Sequence, residues 1–164
     1  MIRTKPNYKI TKNFSFYEMM ESSLPYEAVK LNWLNIDDYN PDNAVKIIEV
    51  AQSRRDLVNR QYKSDTSDKE IGFILTSAFR CLDWERIRKR SGASQHVKSL
   101  AVDIQPINCS DEMATDILQW LHNQDYSNYE GGLALKKPTY KNRAIHRIGF
   151  LHYDARGFKA RWSY

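Results

Sequence analysis

Three residues of types that bind metals lie in contexts that favour a shared site, one of them in a strand sequence where burial of an unpaired polar side chain would cost free energy. His96 lies in the polar loop SGASQH, and Asp103 follows it in an otherwise apolar strand sequence. A buried carboxylate without a partner costs several kcal/mol, so Asp103 requires a hydrogen-bonded neighbour or a bound cation. His152 lies on a second alternating strand beside another acid, Asp154. Two imidazoles and one carboxylate are a set that catalytic zinc takes, and the alternative from spacing alone is a polar cluster without metal.

Arg80 and two acids are the candidates for catalytic work beside such a centre. Arg80 ends a buried strand sequence, where its guanidinium can stabilise an oxyanion, hold a substrate carboxylate, or form a structural salt bridge. Asp154 shares a strand face with His152 and is the first candidate for a general base, the alternative being that it orients the imidazole. Glu130, just ahead of a glycine pair, is the second candidate base.

The elements that must position these residues follow from hydrophobic periodicity and capping residues. We predict helices at 42–62, 82–90 and, capped by Ser110, 111–123, and strands at 71–79, 97–104, 130–137, 148–155 and 159–164. The pattern predicts an α+β fold in which helices pack on a small antiparallel sheet. Residues 1–164 are expected to form one domain, with 1–40 as an N-terminal arm, and the glycines at 131–132 are expected to form a bulge or turn.

Short motifs in this sequence resemble those of the zinc D-alanyl-D-alanine carboxypeptidase family and its endopeptidase relatives, which share a fold with the Hedgehog signalling domain. The family pattern is approximately S-G-Y-R-S, then S-x-H-x-x-G-x-A-x-D, then a late H-x-D in a strand. The residues that fall on it, within 73–157, are Ser77, Arg80, Ser94, His96, Ala101, Asp103, His152 and Asp154.

The resemblance implies a zinc peptidase with a Hedgehog/DD-peptidase-like fold. Zinc would be held by His96, Asp103 and His152, and the substrate would be the stem peptides of peptidoglycan, cleaved by a carboxypeptidase or an endopeptidase. Arg80 is expected to serve both catalysis and substrate binding, and Ser94 and Gln95 are expected to contact substrate. A bacteriophage lysis or virion enzyme is one setting for this activity.

Two positions depart from the family pattern. Ser99 replaces the family glycine, which we expect to be a mild change in ordinary strand backbone. Gly149 stands where many members carry a Glu or Asp, three residues before the last histidine. A branch that resembles cell-wall endopeptidases also lacks this acid. The second hypothesis is therefore a non-catalytic structural or binding module that retains the peptidase fold.

The charge distribution favours an anionic partner. The formal net charge is +5, and residues 136–164 hold eight Lys or Arg against one acid. A nucleic-acid binder with Tyr140, Phe158 and Trp162 as stacking surfaces is a third hypothesis, disfavoured because the acids elsewhere leave no continuous basic face. We expect no specific nucleic acid as a partner.

Cysteine usage and hydropathy predict the remaining properties. Cys81 and Cys109 are expected to be free thiols because two cysteines without CxxC spacing form neither a disulfide scaffold nor a redox motif. No apolar run of membrane-spanning or signal-peptide type is seen. We expect a soluble monomer without membrane insertion in the cytoplasm of the producing cell, reaching the cell wall after release or as part of a phage particle.

Overall fold

The computed structural model describes residues 7–62 and 69–164. Within them the helices are α1 Phe16–Glu21, α2 Tyr26–Leu34, α3 Pro41–Tyr62, α4 Leu82–Ile87 and α5 Asp111–Asp125, with a short 3-10 helix at Ile36–Asp38. The strands are β1 Gly72–Ser77, β2 Ala101–Ile107, β3 Gly132–Lys136, β4 Thr139–Lys141, β5 Ala144–Arg147, β6 Phe150–Asp154 and β7 Ala160–Ser163.

The two long helices, α3 and α5, each begin after a residue whose side chain caps the first turn, and for α5 this residue is the predicted Ser110. The Asn40 side chain accepts a hydrogen bond from the Asn43 N–H at 3.0 Å, and Ser110 Oγ accepts one from the Met113 N–H at 3.2 Å. Such caps satisfy backbone donors that the first helical turn leaves free. The predicted helices at 42–62 and after Ser110 are confirmed.

The main sheet has five strands in the order β1-β2-β6-β3-β7. Its first three pairings are antiparallel, but β3 and β7 are parallel. Both of these strands run opposite to β6. The chain turns back after β6 and places β7 on the far side of β3, so β7 has the direction of β3. The α+β class is confirmed, and the expected antiparallel sheet is corrected to a mixed one.

The two faces of the sheet have different tasks. On β6, Leu151 and Tyr153 point into the main hydrophobic core, which α3 and α5 cover. Because successive side chains of a strand point to opposite faces, His152 and Asp154 lie on the other face. Asp103 reaches that same face from β2, where Val102 and Ile104 enter the core. One face is packed, and the other carries the polar residues.

The segment predicted as an N-terminal arm is part of the folded body where it is described. Phe16 and Met20 of α1 pack with Phe79 and Cys81 in a second hydrophobic cluster. The buried Asn32 side chain on α2 donates to the carbonyls of Met20 and Phe79 and accepts from the Cys81 N–H. These bonds hold the chain on both sides of position 80, so the N-terminal helices fix the place of Arg80.

Two features of the strands differ from expectation. The predicted strand at 97–104 begins only at Ala101, because residues 95–99 form a tight turn with backbone bonds from Ser99 to His96 and from Leu100 to Gln95. A hairpin of β4 and β5 between β3 and β6 was not predicted, since its polar, exposed strands lack an apolar alternation.

The structure bears on the predictions for the cysteines and for membrane-spanning helices. Cys81 and Cys109 are free thiols, as predicted. Among the described helices, none combines the length and apolar character that crossing a membrane requires.

Candidate metal centre and cleft

The fold brings His96, Asp103 and His152 together. Asp103 on β2 is the register partner of His152 on β6, and His96 lies in the turn that leads into β2. One ligand atom from each residue lies within 4.8 Å of the other two. All three side chains are almost completely buried, with residue exposures of 2%, 5% and 4%. The cluster is a compact set of two imidazoles and one carboxylate.

Each imidazole uses one nitrogen for a supporting hydrogen bond and directs the other at Asp103. His96 Nδ1 lies 2.7 Å from the carbonyl oxygen of Ala78, and its Nε2 lies 3.5 Å from Asp103 Oδ1. His152 Nδ1 lies 2.7 Å from Asp103 Oδ1, and its Nε2 lies 3.1 Å from Asp154 Oδ2. Acceptors of this kind fix the tautomer and the ring orientation of a metal-ligating histidine.

Burial and charge shift the pKa of each member of the cluster. Burial lowers the pKa of His96. Burial would raise the pKa of Asp103, but the charges and hydrogen bonds of the two imidazoles outweigh it and hold that pKa below its usual range. Burial would lower the pKa of His152, but its hydrogen bonds to Asp103 and Asp154 raise it. Asp103 is therefore an ionised carboxylate at neutral pH.

These residues fit a zinc ion. The donors are of the nitrogen and oxygen types that zinc accepts, one atom of each lies within 4.8 Å of the other two, and the supporting bond at Ala78 leaves Nε2 of His96 as a ligand atom. A carboxylate hydrogen-bonded to the outer nitrogen of a ligand histidine, as Asp154 is to His152, is common in zinc sites.

Asp154 is more enclosed than a residue that exchanges protons with water. Its exposure is 0%, and its oxygens accept hydrogen bonds from the Gly132 N–H and from Nε and Nη2 of Arg156. Burial would raise its pKa, but the bonds from His152 and Arg156 keep the pKa below its usual range. A side chain at Gly132 would collide with this carboxylate, its Cβ lying 2.1 Å from Oδ2. The glycine pair therefore provides space for Asp154.

Arg80 is held beside the cluster by three contacts. Its Nε lies 3.1 Å from Oε1 of the buried Glu85, its Nη2 donates to Ser94 Oγ at 3.0 Å, and its backbone N–H donates to the His96 carbonyl. Burial lowers the pKa of Arg80, an effect that the charges of Glu85 and Asp103 oppose. Ser94 also accepts from the His96 N–H, so this serine shapes the loop that carries the histidine.

The structure does not bring every predicted residue to the cluster. Glu130 has a side chain 71% exposed and paired with Lys159 at 3.2 Å, and it does not line the cleft described below. Gln95 contributes its carbonyl to the turn before β2, accepting from the N–H groups of Lys98 and Leu100.

A cleft of about 550 Å³ opens on the polar face of the sheet beside Asp103. The cleft is lined by the link between α1 and α2, by β1 and the chain that leads from it through α4, by β2, β3 and β6, and by the C-terminal residue. These lining residues are Leu24, Pro25, Thr76, Ser77, Arg80, Trp84, Arg88, Arg90, Asp103, Lys136, Phe150 and Tyr164. Sequence reasoning missed most of them, as well as Glu85 and Arg156. The spacing Asp154-x-Arg156 at the end of a site strand was an available signal, whereas the cleft depends on tertiary packing.

The two departures from the family pattern have structural explanations. Ser99 has a φ of +57°, the left-handed region that favours glycine, so the expectation of ordinary strand backbone is wrong. Its Oγ accepts a hydrogen bond from the Asn40 N–H at 3.1 Å, a contact that glycine cannot make. A Cβ at Gly149 would lie 1.7 Å from the carbonyl oxygen of Lys136, so this backbone excludes any side chain there.

A buried His-Asp-His set whose aspartate lines a cleft beside an arginine is a site of the metal-dependent hydrolase type. The family model for peptidase M15 matches residues 44–134, which include His96 and Asp103. This match covers more than half of the chain, and the chain belongs to the peptidase M15 family of metallopeptidases, which typically use zinc. Comparisons with curated proteins and with solved structures gave no match.

Proposed function

We propose that this chain is a zinc-dependent peptidase that hydrolyses peptide bonds of peptidoglycan stem peptides. The observation that carries the proposal is the buried cluster of His96, Asp103 and His152, whose Asp103 lines a cleft of about 550 Å³ beside Arg80 in a chain of the M15 family. The sequence motifs that resemble those of D-alanyl-D-alanine carboxypeptidases and their endopeptidase relatives support the choice of substrate and a Hedgehog/DD-peptidase-like fold. A monomer acting in bacteriophage lysis or in a virion is part of the same proposal.

His96, Asp103 and His152 would hold the zinc. Zinc supplies Lewis-acid chemistry when bound, polarising a carbonyl and making water a better nucleophile. Arg80 directs its guanidinium into the cleft from a place fixed by Glu85 and Ser94. A guanidinium held there binds a developing oxyanion or a substrate carboxylate without first having to be ordered.

Asp154 acts, in this proposal, as a positioning residue for His152. Its oxygens are bound to His152, Arg156 and the Gly132 N–H, and none of it is exposed. A general base must reach the proton that it removes, within about 3 Å or through one water. Asp103 is the one carboxylate among the described residues that line the cleft.

The second candidate function is a non-catalytic module that binds wall peptides through the same cleft. The observation in its favour is Gly149, where the family acid is missing and where the Lys136 carbonyl leaves no room for a side chain. Both functions use zinc and the cleft, so only turnover distinguishes them.

Metal analysis of the purified protein, together with mass spectrometry of muropeptides after incubation, tests the proposal. We expect about one equivalent of zinc and a defined loss of mass from the stem peptides. His96→Ala, Asp103→Ala and His152→Ala should each lose zinc and thermal stability, because metal binding adds to the folding free energy. His122→Ala, on α5, is the matched control. Stoichiometric zinc in all three variants would overturn the metal site, and zinc without cleavage would favour the module.

Arg80→Lys separates catalysis from a structural salt bridge. We expect turnover to fall by about 100-fold or more with zinc content unchanged, since one lost oxyanion donor costs about 3 to 4 kcal/mol. The zinc content and thermal midpoint of the same sample are the controls. A folded, zinc-loaded Arg80→Lys with wild-type turnover would remove Arg80 from the chemistry.

A further inference from the structure

Cationic side chains dominate the walls of the cleft. Arg80, Arg88, Arg90 and Lys136 line it, whereas Asp103 is the only acid among the described lining residues. Bound zinc would offset the charge of Asp103, so the interior field would favour an anionic ligand more strongly still. The positive charge lies on the α4 side of the cleft as well as beside Asp103. Binding one scissile carbonyl requires fewer cations than the cleft contains.

The arginines on the α4 side are anchored from below by a buried acid. Glu85 is 1% exposed, and its Oε1 lies 3.1 Å from Nε of Arg80 and 3.0 Å from Nη1 of Arg90. One carboxylate therefore fixes two guanidinium groups whose side chains line the cleft. Anchored guanidinium groups lose less conformational entropy when they bind a ligand than free ones do.

Arg88 has a different support. Its guanidinium carbon lies 5.8 Å from the ring centre of Trp84, and no acidic side chain of the described chain lies within the 4.0 Å of an ion pair. The cation–π contact orients Arg88 without neutralising it. Its charge remains available to a ligand that enters the cleft.

A buried hydroxyl in the same cleft also lacks a partner. Ser77 is 6% exposed and lines the cleft, and its Oγ has no hydrogen-bond partner. Its backbone is the register partner of Asp103, so the hydroxyl lies in the row of the sheet that carries the metal ligands. Buried polar groups of this kind are normally satisfied, and a bound peptide group would satisfy this one.

We propose that Arg88 and Arg90 form a subsite for a free carboxylate of the substrate peptide, separate from the bond that is cleaved. The inference rests on the proposed function and gives it a substrate preference. Stem peptides whose acidic residues carry free carboxylates are preferred to the same peptides with those carboxylates amidated. The apolar and aromatic walls at Pro25, Trp84 and Phe150 favour a peptide over a bare polyanion, because they match side chains and not a repeating charge.

The test compares two synthetic stem peptides of one sequence, with the non-terminal carboxylates either free or amidated. We expect wild-type protein to cleave the free form with kcat/KM at least about 10-fold higher, the effect of one charge-assisted hydrogen bond. Arg88→Gln should bring this ratio close to one, mainly by slowing cleavage of the free form, and Arg90→Lys, which keeps a charge but loses the guanidinium fork, should lower it. Arg90→Lys keeps a cation for Glu85 and thus protects the fold.

Arg86→Gln is the matched control. Arg86 lies on α4 with a side chain 68% exposed, pairs with Asp83 at 3.2 Å, and does not line the cleft. Its substitution should leave the ratio unchanged. Equal cleavage of both peptides by wild type, or an unchanged ratio in both cleft variants, would overturn the subsite.

Calorimetric binding of the two peptides provides a readout that does not depend on turnover. Zinc-loaded protein should bind the free form at least about 10-fold more tightly, and Arg88→Gln should abolish the difference. Selective binding without cleavage would sink the proposed peptidase but support the subsite, and cleavage without selectivity would do the reverse. Tighter binding of heparin than of the acidic peptide, lost in Arg88→Gln, would assign the arginines to a polyanion instead.

Discussion

The two histidines of the cluster are supported in different ways, and this difference bears on the role proposed for Asp154. His96 relies on a neutral backbone carbonyl, whereas His152 relies on a carboxylate that Arg156 neutralises. Arg156 also lies 5.3 Å from the ring centre of Trp162, which in turn contacts the His152 ring. His152 is thus held by Asp154, which Arg156 binds in turn, and its ring contacts Trp162.

Asp154→Asn is the variant that distinguishes a positioning residue from a general base. We expect zinc affinity to fall about 10- to 100-fold, because the ligand imidazole loses its charged partner, while the turnover of fully loaded protein stays nearly unchanged. Zinc affinity is measured in a metal buffer, and turnover at saturating zinc. Glu130→Gln, at the exposed acid, is the control. A loss of about 100- to 10,000-fold in turnover at full loading would instead identify Asp154 as the base.

At this scale the sequence located the candidate ligands and Asp154, but not Glu85 or Arg156, which support Arg80 and Asp154. His96, Asp103 and His152 are identifiable because an acid in an apolar strand and a histidine on an alternating strand are unusual. Glu85 and Arg156 belong to ordinary-looking charged stretches, and charge pattern alone does not tell which charged residues become buried. Glu130 shows the reverse error, an acid next to a conspicuous motif that the fold leaves exposed.

The turn that leads into β2 is the element that sets the position of His96. Its backbone bonds from Ser99 to His96 and from Leu100 to Gln95 require the left-handed conformation at Ser99. Alternation of apolar residues predicts an extended chain from position 97, because hydrophobic periodicity carries no information about a single positive φ. The family glycine is the sequence signal for this turn.

Substitution of Ser99 by Gly and by Ala tests the turn. Both variants lose the Oγ acceptor of the Asn40 N–H, but only glycine relieves the strain of the left-handed backbone. Ser99→Gly should therefore be about 1 kcal/mol more stable than Ser99→Ala. Urea unfolding of both proteins measures the difference. Equal stabilities would mean that the backbone at position 99 carries no such strain.

The connection from the β4–β5 hairpin to β6 is fixed by close backbone contact. Gly149 lies against the Lys136 carbonyl, and its own carbonyl accepts a hydrogen bond from the Gln105 side chain at 3.0 Å. This contact aligns the start of β6, three residues before His152. A side chain at this position, the family acid included, has no room where the hairpin joins the sheet.

Gly149→Ala should disturb both the fold and the site. The added Cβ has no space, so the loop must move, at a cost of about 1 to 3 kcal/mol or more. We expect a lower unfolding midpoint in urea and weaker zinc binding, because β6 carries His152. Lys141→Ala, on the exposed strand β4 of the same hairpin, is the control and should change neither property. A stable, normally metallated Gly149→Ala would show that this connection can adjust.

For the whole molecule, the sequence predicted the helices and the strands that form the core better than their arrangement. The α3 and α5 patterns and the alternation in β6 are local, so they were readable. The parallel position of β7 and the packing of α1 and α2 against the end of β1 depend on contacts distant in sequence. The site follows the same rule, since the candidate metal-binding residues were found in sequence and the cleft was not.

The packed face of the sheet predicts how the molecule responds to alkaline pH. Tyr153, between His152 and Asp154 on β6, is fully buried and donates to Asp125 Oδ2 at 2.6 Å. Tyr129 lies against it and donates to the Asp154 carbonyl at 3.0 Å. Burial, and then the nearby carboxylates, raise the pKa of both phenols above the ordinary value of 10.0.

These shifts make the free energy of unfolding decrease as the pH rises above about 10. In that range the unfolded chain releases the phenol protons while the folded chain retains them, and each such tyrosine contributes a slope of up to about 1.4 kcal/mol per pH unit. Urea unfolding at pH 8, 10 and 11 measures this slope. Tyr153→Phe should be less stable than wild type at pH 8, because Asp125 loses a donor, yet it should show a shallower decline between pH 10 and 11. Tyr140→Phe, at an exposed position of the hairpin, is the control and should keep the wild-type slope. A decline in Tyr153→Phe as steep as in wild type would contradict the assignment of this alkaline response to the buried tyrosines behind β6.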